Sequence, residues 1–336
     1  MRKSINLKRV LFFVIVLLLI FLFIKRYIPY VTPIKAKSVT HSDSVLEIHM
    51  IDVGQAKSIL IVQGKHAMLV DTGDMFDGEK VVNYLKSVGI NKLDKLVITH
   101  FHVDHSGGVH DILSAIKVKQ VVSMRRKYIS TMQELFWYTD MQISRFTSSI
   151  VHLKRIQLTT PYEQAGILKT DMLGNAKIEF LSQETHTDIV NNKSIVMKIS
   201  YGDVSALLTG DSQKEVEDSL LEAKMDISAD ILDVGHHGSR TSTSMDFLEK
   251  VNPEYALISC GEDNDYGHPN SFVMKKLQKK NVKVYRTDLD GNIVLKTDGT
   301  KKKIIVTTNK KEWELKKAVC EMLHTVFFYV SIIGVN

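Results

Sequence analysis

Within the run Thr99-His100-Phe101-His102-Val103-Asp104-His105-Ser106-Gly107-Gly108, four side chains able to bind a metal occupy six positions. On an extended segment His100, His102 and Asp104 would project to one side with period two. A tight turn eased by Gly107 and Gly108 would then bring His105 round to the same point. Imidazoles combined with a carboxylate suit Zn²⁺, and the oxygen share is also compatible with Mn²⁺. Two distant segments end in similar groups. Ala206-Leu207-Leu208-Thr209-Gly210-Asp211 is a buried-type strand ending in a carboxylate, and Ile231-Leu232-Asp233-Val234-Gly235-His236-His237-Gly238-Ser239 is another ending in two imidazoles. A carboxylate between two dications can bridge them, and two metals about 3.5–4 Å apart can hold a hydroxide and polarise an ester or phosphoryl oxygen together. The competing use of Asp211 is to cap the helix that begins SQKEVEDSLLE.

Short apolar or alternating runs must position these groups. VLEIHMIDV, SILIVQ, HAMLVDTG and LDKLVITH are expected strands. Between the third and fourth, EKVVNYLKSVGI spaces Val81, Val82, Leu85 and Val88 as a helix does and closes at Gly89. Strand, helix, strand is the pattern of a mixed α/β layer. Further strands are expected at AKIEFLS, SIVMKISYG, SALLTGD, ILDVGHHG, YALISCG, KVYRTD and NIVLKTDG, with helices near 213–223, 271–280 and 130–149.

The 336 residues carry 44 Lys and Arg against 38 Asp and Glu, a net charge of +6, but the excess is local. Residues 1–40 hold eight of the basic groups and no acid, and residues 41–300 alone hold 29 basic against 35 acidic groups, a net of −6. Composition therefore argues against a broad nucleic-acid footprint. Two cysteines, Cys260 and Cys320, exclude a disulfide scaffold and a four-thiolate metal site. The unbroken apolar run Val10 to Ile24, closed by Lys25 and Arg26 and followed by Tyr27 and Tyr30, belongs in lipid. Fifteen residues of helix rise only about 22 Å against a hydrocarbon thickness of roughly 30 Å, so those flanking side chains would complete the span. Residues 10–30 are thus expected to be an uncleaved signal anchor between a cytoplasmic stretch, 1–9, and a linker, 31–44. The large domain, 45–308, then lies outside the cell membrane, or is secreted if the segment is cleaved. Residues 309–336 form a tail whose apolar end is too short to cross a bilayer.

The motifs Asp71-Thr72-Gly73, His100-x-His102-x-Asp104-His105, Leu208-Thr209-Gly210-Asp211 and His236-His237-Gly238-Ser239 resemble those of the metallo-β-lactamase superfamily. Within it the chain looks like the hydrolase domain at the carboxyl end of ComEC-type DNA-uptake (competence) proteins. His49-Met50-Ile51-Asp52-Val53-Gly54-Gln55, Asn191-Asn192-x-Ser194-Ile195-Val196 and Asn264-x-Tyr266-Gly267-His268-Pro269 carry that likeness. It covers about residues 45 to 300. The resemblance implies an αββα sandwich with two divalent metal ions at one edge of the sheets. His100 and His102 would hold one metal, Asp104, His105 and one of His236 and His237 the other, with Asp211 bridging. One departure is that the resembled opening motif runs Gly-Gln-Gly-Asp-Ser, whereas Gly54-Gln55-Ala56-Lys57-Ser58 stands here, putting a cation near the expected site and bearing on substrate preference. Another is that Asn192 stands where many members supply a further histidine, His186 being less well placed.

The chemistry implied is hydrolysis by a hydroxide that a dication forms by lowering the pKa of water from about 15.7 to near 7. Asp104 is expected to ligate or to orient that hydroxide, and Asp71 to hold a ligand loop by hydrogen bonds or to serve as a turn acid. His268, its backbone restricted by Pro269, is a candidate to protonate a leaving group or bind a phosphate oxygen, and Ser239 to donate to a phosphate. The expected function is a membrane-anchored phosphodiesterase, with DNA as the first substrate by resemblance. A cell-wall phosphoester or a small cyclic ester or amide is the alternative substrate, and a non-catalytic, metal-stabilised binding module with Lys57 in place of the missing acid is the alternative class. No protein partner is inferable from the sequence.

Overall fold

Strand Ile59–Gln63 is buried at every position, which requires a packing layer on each of its faces. The computed structural model supplies both layers. It describes residues 41–123, 162–164, 170–181 and 189–310. All of these belong to one unit, Val39–Lys310, of the two into which the chain divides. The expected anchor at 10–30, the helix at 130–149, His186, Cys320 and the tail beyond residue 310 lie outside the described residues. Among the described residues no helix is long and apolar enough to cross a membrane.

The first sheet contains β1 (Leu46–Met50), β2 (Ile59–Gln63), β3 (His66–Val70), β5 (Lys95–Ile98), β7 (Val121–Ser123), β8 (Tyr162–Gln164), β16 (Ile293–Thr297) and β17 (Ile304–Thr308), in the order β17-β16-β1-β2-β3-β5-β7-β8. The second contains β9 (Thr170–Leu173), β10 (Ala176–Phe180), β11 (Met197–Tyr201), β12 (Val204–Leu208), β13 (Ile231–Asp233), β14 (Tyr255–Ile258) and β15 (Lys283–Arg286), in the order β15-β14-β13-β12-β11-β10-β9. A two-stranded pair joins β4 (Lys92–Leu93) to β6 (Lys117–Val118). Ile59, Ile61, Met68 and Val70 from the first sheet share one core with Ile178, Ile199, Leu208, Ile231 and Leu257 from the second. The alternate residues Leu60, Val62 and Leu69 point the other way, onto α1 (Gly78–Ser87) and α3 (Val109–Ala115). Leu207, Leu232 and Ala256 likewise meet α4 (Lys214–Glu222), α5 (Met245–Val251) and α6 (Ser271–Lys279). Helices outside and sheets inside make an αββα sandwich, each fully buried aliphatic side chain contributing about 1.5–3 kcal/mol.

Gly89, at φ +82°, closes α1 as its spacing implied, with its amide bonded to Lys86 O at 3.0 Å. The segment after β5 departs from expectation. Val103–Ser106 is a turn of helix, α2, preceded by His102 in an extended conformation, so Asp104 projects from a helix and not from a strand. Gly107 has ordinary helical angles, φ −62° and ψ −37°, and does not relax a turn. It is needed for contact, since a Cβ there would lie 2.2 Å from Met75 N and 2.6 Å from Val103 O.

Candidate metal centre

Four strands of the two sheets deliver the chemistry at their carboxyl ends, where parallel neighbours leave their loops together: β3 leads to Asp71, β5 to His100, β12 to Asp211 and β13 to His236 and His237. One backbone bond ties the two sheets at this edge, Ile195 N donating to Thr99 O at 3.0 Å, and another joins two loops of the first sheet, Lys57 N donating to Asp104 O at 3.0 Å.

One ligand atom from each of Asp104, His105, Asp211 and His237 falls within 4.8 Å of the others. Their hydrogen bonds fix which atoms face inward. His105 Nδ1 donates to Asp71 Oδ2 at 2.7 Å, and His237 Nδ1 donates to Ser259 O at 2.9 Å. Both Nε2 atoms are then left with a lone pair turned to the centre. His105 Nε2 lies 3.1 Å from Asp211 Oδ1, and His237 Nε2 lies 3.3 Å from Asp104 Oδ2. His105 Nε2, His237 Nε2 and Asp211 Oδ1 are buried and have no hydrogen-bond partner. Acceptors brought face to face without donors suit a cation. Positive charge is what this place attracts: burial alone would keep His105 neutral, but the Asp211 and Asp71 carboxylates outweigh it and hold its pKa well above the usual histidine range, so that a proton competes with a cation for Nε2. Burial would raise Asp104 and Asp211, yet the surrounding imidazoles hold both below the usual carboxylate range.

A second group adjoins the first through Asp211. His100 Nδ1 lies against the hydroxyls of Thr99 and Ser194, at 3.2 and 3.3 Å, which turns Nε2 inward to within 3.1 Å of His102 Nδ1. His236 Nε2 faces Asp211 Oδ2 at 3.8 Å, and burial lowers the pKa of His100, His102 and His236 alike, leaving neutral, ligand-competent rings. Both rings thus face Asp211 Oδ2, His237 at 3.6 Å, and of the two only His237 also reaches Asp104. Both have left-handed backbones, φ +51° and +55°, which swings adjacent side chains to neighbouring points of the site.

Several expected residues stand elsewhere. Asn192 turns away, its amide nitrogen donating to Glu215 at 3.2 Å and its oxygen accepting from Gln213 N at 3.0 Å. Asn191 faces the site instead, its amide nitrogen 3.2 Å from His236 Nε2 and its carbonyl oxygen buried without a partner. The neighbouring asparagines differ in direction because Val190–Lys193 is a 3₁₀ turn, a feature invisible to motif spacing. Lys57 is not a substrate-facing cation: it is 0% exposed and donates to Gly210 O at 3.0 Å and Asp233 Oδ2 at 3.1 Å. Ser239 shares its hydroxyl with Thr241 at 3.1 Å, and Thr241 in turn contacts His236 Nδ1 at 3.1 Å, so Ser239 braces His236 through the loop. Asp211 does not cap α4, whose N-cap is Gln213. Asp71 receives Thr99 N at 2.8 Å and Thr99 Oγ1 at 2.7 Å besides His105. His268 stacks on His237 with ring centroids 6.4 Å apart and carries Tyr266 on its outer side at 5.7 Å. Its Nδ1 accepts from Gln55 at 3.3 Å, while burial and the neighbouring imidazoles lower its pKa to about 4.

The metallo-β-lactamase superfamily model matches residues 51–262. ComE operon protein 3 of Bacillus subtilis is 31% identical over 268 residues, which are 74% of this chain and 32% of that protein. Competence protein ComA of Neisseria gonorrhoeae is 29% identical over 246 residues, 71% of this chain and 30% of that protein. This chain thus spans about a third of the length of these relatives. Among solved structures it is similar to the metallo-β-lactamase fold protein YhfI of Bacillus subtilis, at 15% identity and a TM-score of 0.48, covering 75% of this chain and 100% of that one. The chain belongs to the metallo-β-lactamase superfamily and is similar within it to the ComEC-type competence proteins.

Proposed function

We propose that this metal-dependent hydrolase is a two-metal phosphodiesterase, anchored to the cell membrane by residues 10–30 and acting on the extracytoplasmic side, with DNA as its first substrate. The observation that carries the reading is the set of buried acceptors without donors, His105 Nε2, His237 Nε2, Asp211 Oδ1 and Asn191 Oδ1. Two divalent cations, Zn²⁺ or Mn²⁺, would supply positive charge to polarise a phosphoryl oxygen and lower the pKa of water to about 7. Asp104, His105 and His237 would hold one, His100 and His102 the other, and Asp211 would be shared, with Asn191 and His236 beside the second. Asp71 keeps the Nδ1 proton on His105 and so keeps Nε2 free. Asp104, with its side chain 28% exposed, is the carboxylate an entering water meets and the group placed to orient it. His268 accepts from Gln55 at Nδ1, which leaves an Nε2–H to donate to a phosphate or leaving-group oxygen.

The likeness to ComEC-type competence proteins supports DNA, and the apolar run Val10 to Ile24 supports the anchor. The net charge of −6 over residues 41–300 favours one second reading, a small or wall-bound phosphoester that needs no wide basic groove. The test uses the purified full chain with Zn²⁺ or Mn²⁺ on bis(p-nitrophenyl) phosphate, single-stranded DNA and nitrocefin. Phosphodiester cleavage that disappears in His102→Ala and Asp211→Asn is the expected result. Silence on all three with metal demonstrably bound would leave a binding module. Protection of the large domain from protease on intact cells would overturn the orientation.

A further inference from the structure

Lys57 is fully buried, and a buried ammonium must be compensated. Its contacts span the candidate metal centre. The backbone amide donates to Asp104 O at 3.0 Å, its carbonyl accepts from Gly73 N at 2.8 Å, and Nζ donates to Gly210 O at 3.0 Å. Nζ also donates to Asp233 Oδ2 at 3.1 Å and lies 4.0 Å from Asp211 Oδ1. Asp233 is itself 1% exposed. One residue therefore joins the histidine-rich loop of the first sheet to the Gly210-Asp211 corner of the second, and its charge is balanced by an acid on β13. The ammonium is turned away from any substrate, behind Asp211.

We propose that Lys57 and Asp233 form a positioning ion pair that sets the place of Asp211 relative to Asp104, and that it acts through paired charge, so that the two residues can be exchanged. The pair is neutral as a unit, and its place demands opposite charges at the two positions more than a given order of them. A relative with an acid at the position of Lys57 is then expected to carry a cation at that of Asp233. The proposal rests on Asp211 serving as a metal ligand, and the measurements below separate the two claims.

The experiment is a double-mutant cycle on the full chain with Lys57→Asp, Asp233→Lys and the exchanged double variant, plus Lys57→Met. Two readouts are taken: thermal unfolding without metal, and Co²⁺ titration followed by the visible absorption of the bound ion. Each single change leaves an uncompensated buried charge and is expected to lower Tm by roughly 10 °C. It should also weaken Co²⁺ binding by about 10–100-fold, as loss of a supporting partner does, and alter the spectrum. The double variant should regain most of the Tm, the affinity and the parental spectrum. A double variant no better than the worse single one, whether through misfolding or through weak binding, overturns the proposal. So does a Lys57→Met chain that keeps the parental Tm and spectrum. A parent that takes up no Co²⁺ sinks the metal reading instead, and the pair then stands or falls on the thermal cycle.

Discussion

Replacing Gly107 by alanine isolates how closely the histidine-rich loop must approach its neighbour. The backbone at Gly107 is helical, so conformation alone would favour alanine by up to about 1 kcal/mol. Contact opposes it. The added Cβ would stand 2.2 Å from Met75 N, 2.5 Å from Asp74 C and 2.6 Å from Val103 O, all main-chain atoms, where a relaxed separation is about 3.5 Å or more. The loops must part by roughly 1 Å, against bonds from Gly107 N to Gly73 O at 3.1 Å and from Thr72 N to His105 O at 2.7 Å. Overpacking costs about 1–3 kcal/mol and two weakened hydrogen bonds about 1 kcal/mol each, so after the helical gain the net loss is about 2–4 kcal/mol. Urea unfolding gives the stability, and Zn²⁺ titration gives the affinity, which should fall because α2 carries Asp104 and His105. Gly54→Ala is the control: nothing lies within 4 Å of its Cβ, but φ is +66°, so it should cost only about 1–2 kcal/mol and spare metal binding. A Gly107→Ala chain as stable as the parent, or more so, would refute the close-approach argument.

Asp71→Asn keeps a side chain tolerant of the left-handed φ of +60° but no longer presents a carboxylate to His105 Nδ1; Zn²⁺ affinity measured by calorimetry should drop about 10–100-fold with the fold retained, and an unchanged affinity would count against the hydrogen bond's role. Asn191→Ala should alter metal affinity or turnover while leaving stability nearly intact, whereas Asn192→Ala, which breaks contacts to Glu215 and Gln213, should cost about 1–2 kcal/mol in unfolding and leave metal binding alone. Burial would raise Glu47, but hydrogen bonds from His41, His49 and Lys296 outweigh it and hold its pKa well below the ordinary 4.5. Its contribution is therefore present above about pH 4.5 and is lost as the pH falls below that. Glu47→Gln should lower stability at pH 7 and flatten the acid limb of a stability profile between about pH 4.5 and 2, and parallel profiles would exclude the network.

Much of this architecture was legible from periodicity. The strands around β1, β2, β3, β5 and β10 to β16 stood out as apolar runs where both faces are covered, as in β2, or as alternating ones where a single face is, as in β10 and β16, and α1, α4 and α6 followed the helical period. The helices α3 and α5 and strand β17 did not stand out, being short and weakly patterned. The sequence alone also determined which kinds of ligand gather, since three separate segments end in imidazoles and carboxylates. Direction was another matter. Whether Asn191 or Asn192 faces the centre, and which of His236 and His237 reaches Asp104, depends on a 3₁₀ turn and two left-handed residues that alternation cannot foresee. Whether Lys57 meets substrate or the buried Asp233, 176 positions away, depends on how two sheets pack at one edge. Local spacing sets the chemical inventory because backbone period is a short-range property, while the pairing of buried charges and orphaned lone pairs is decided only when distant strands share a dry interior.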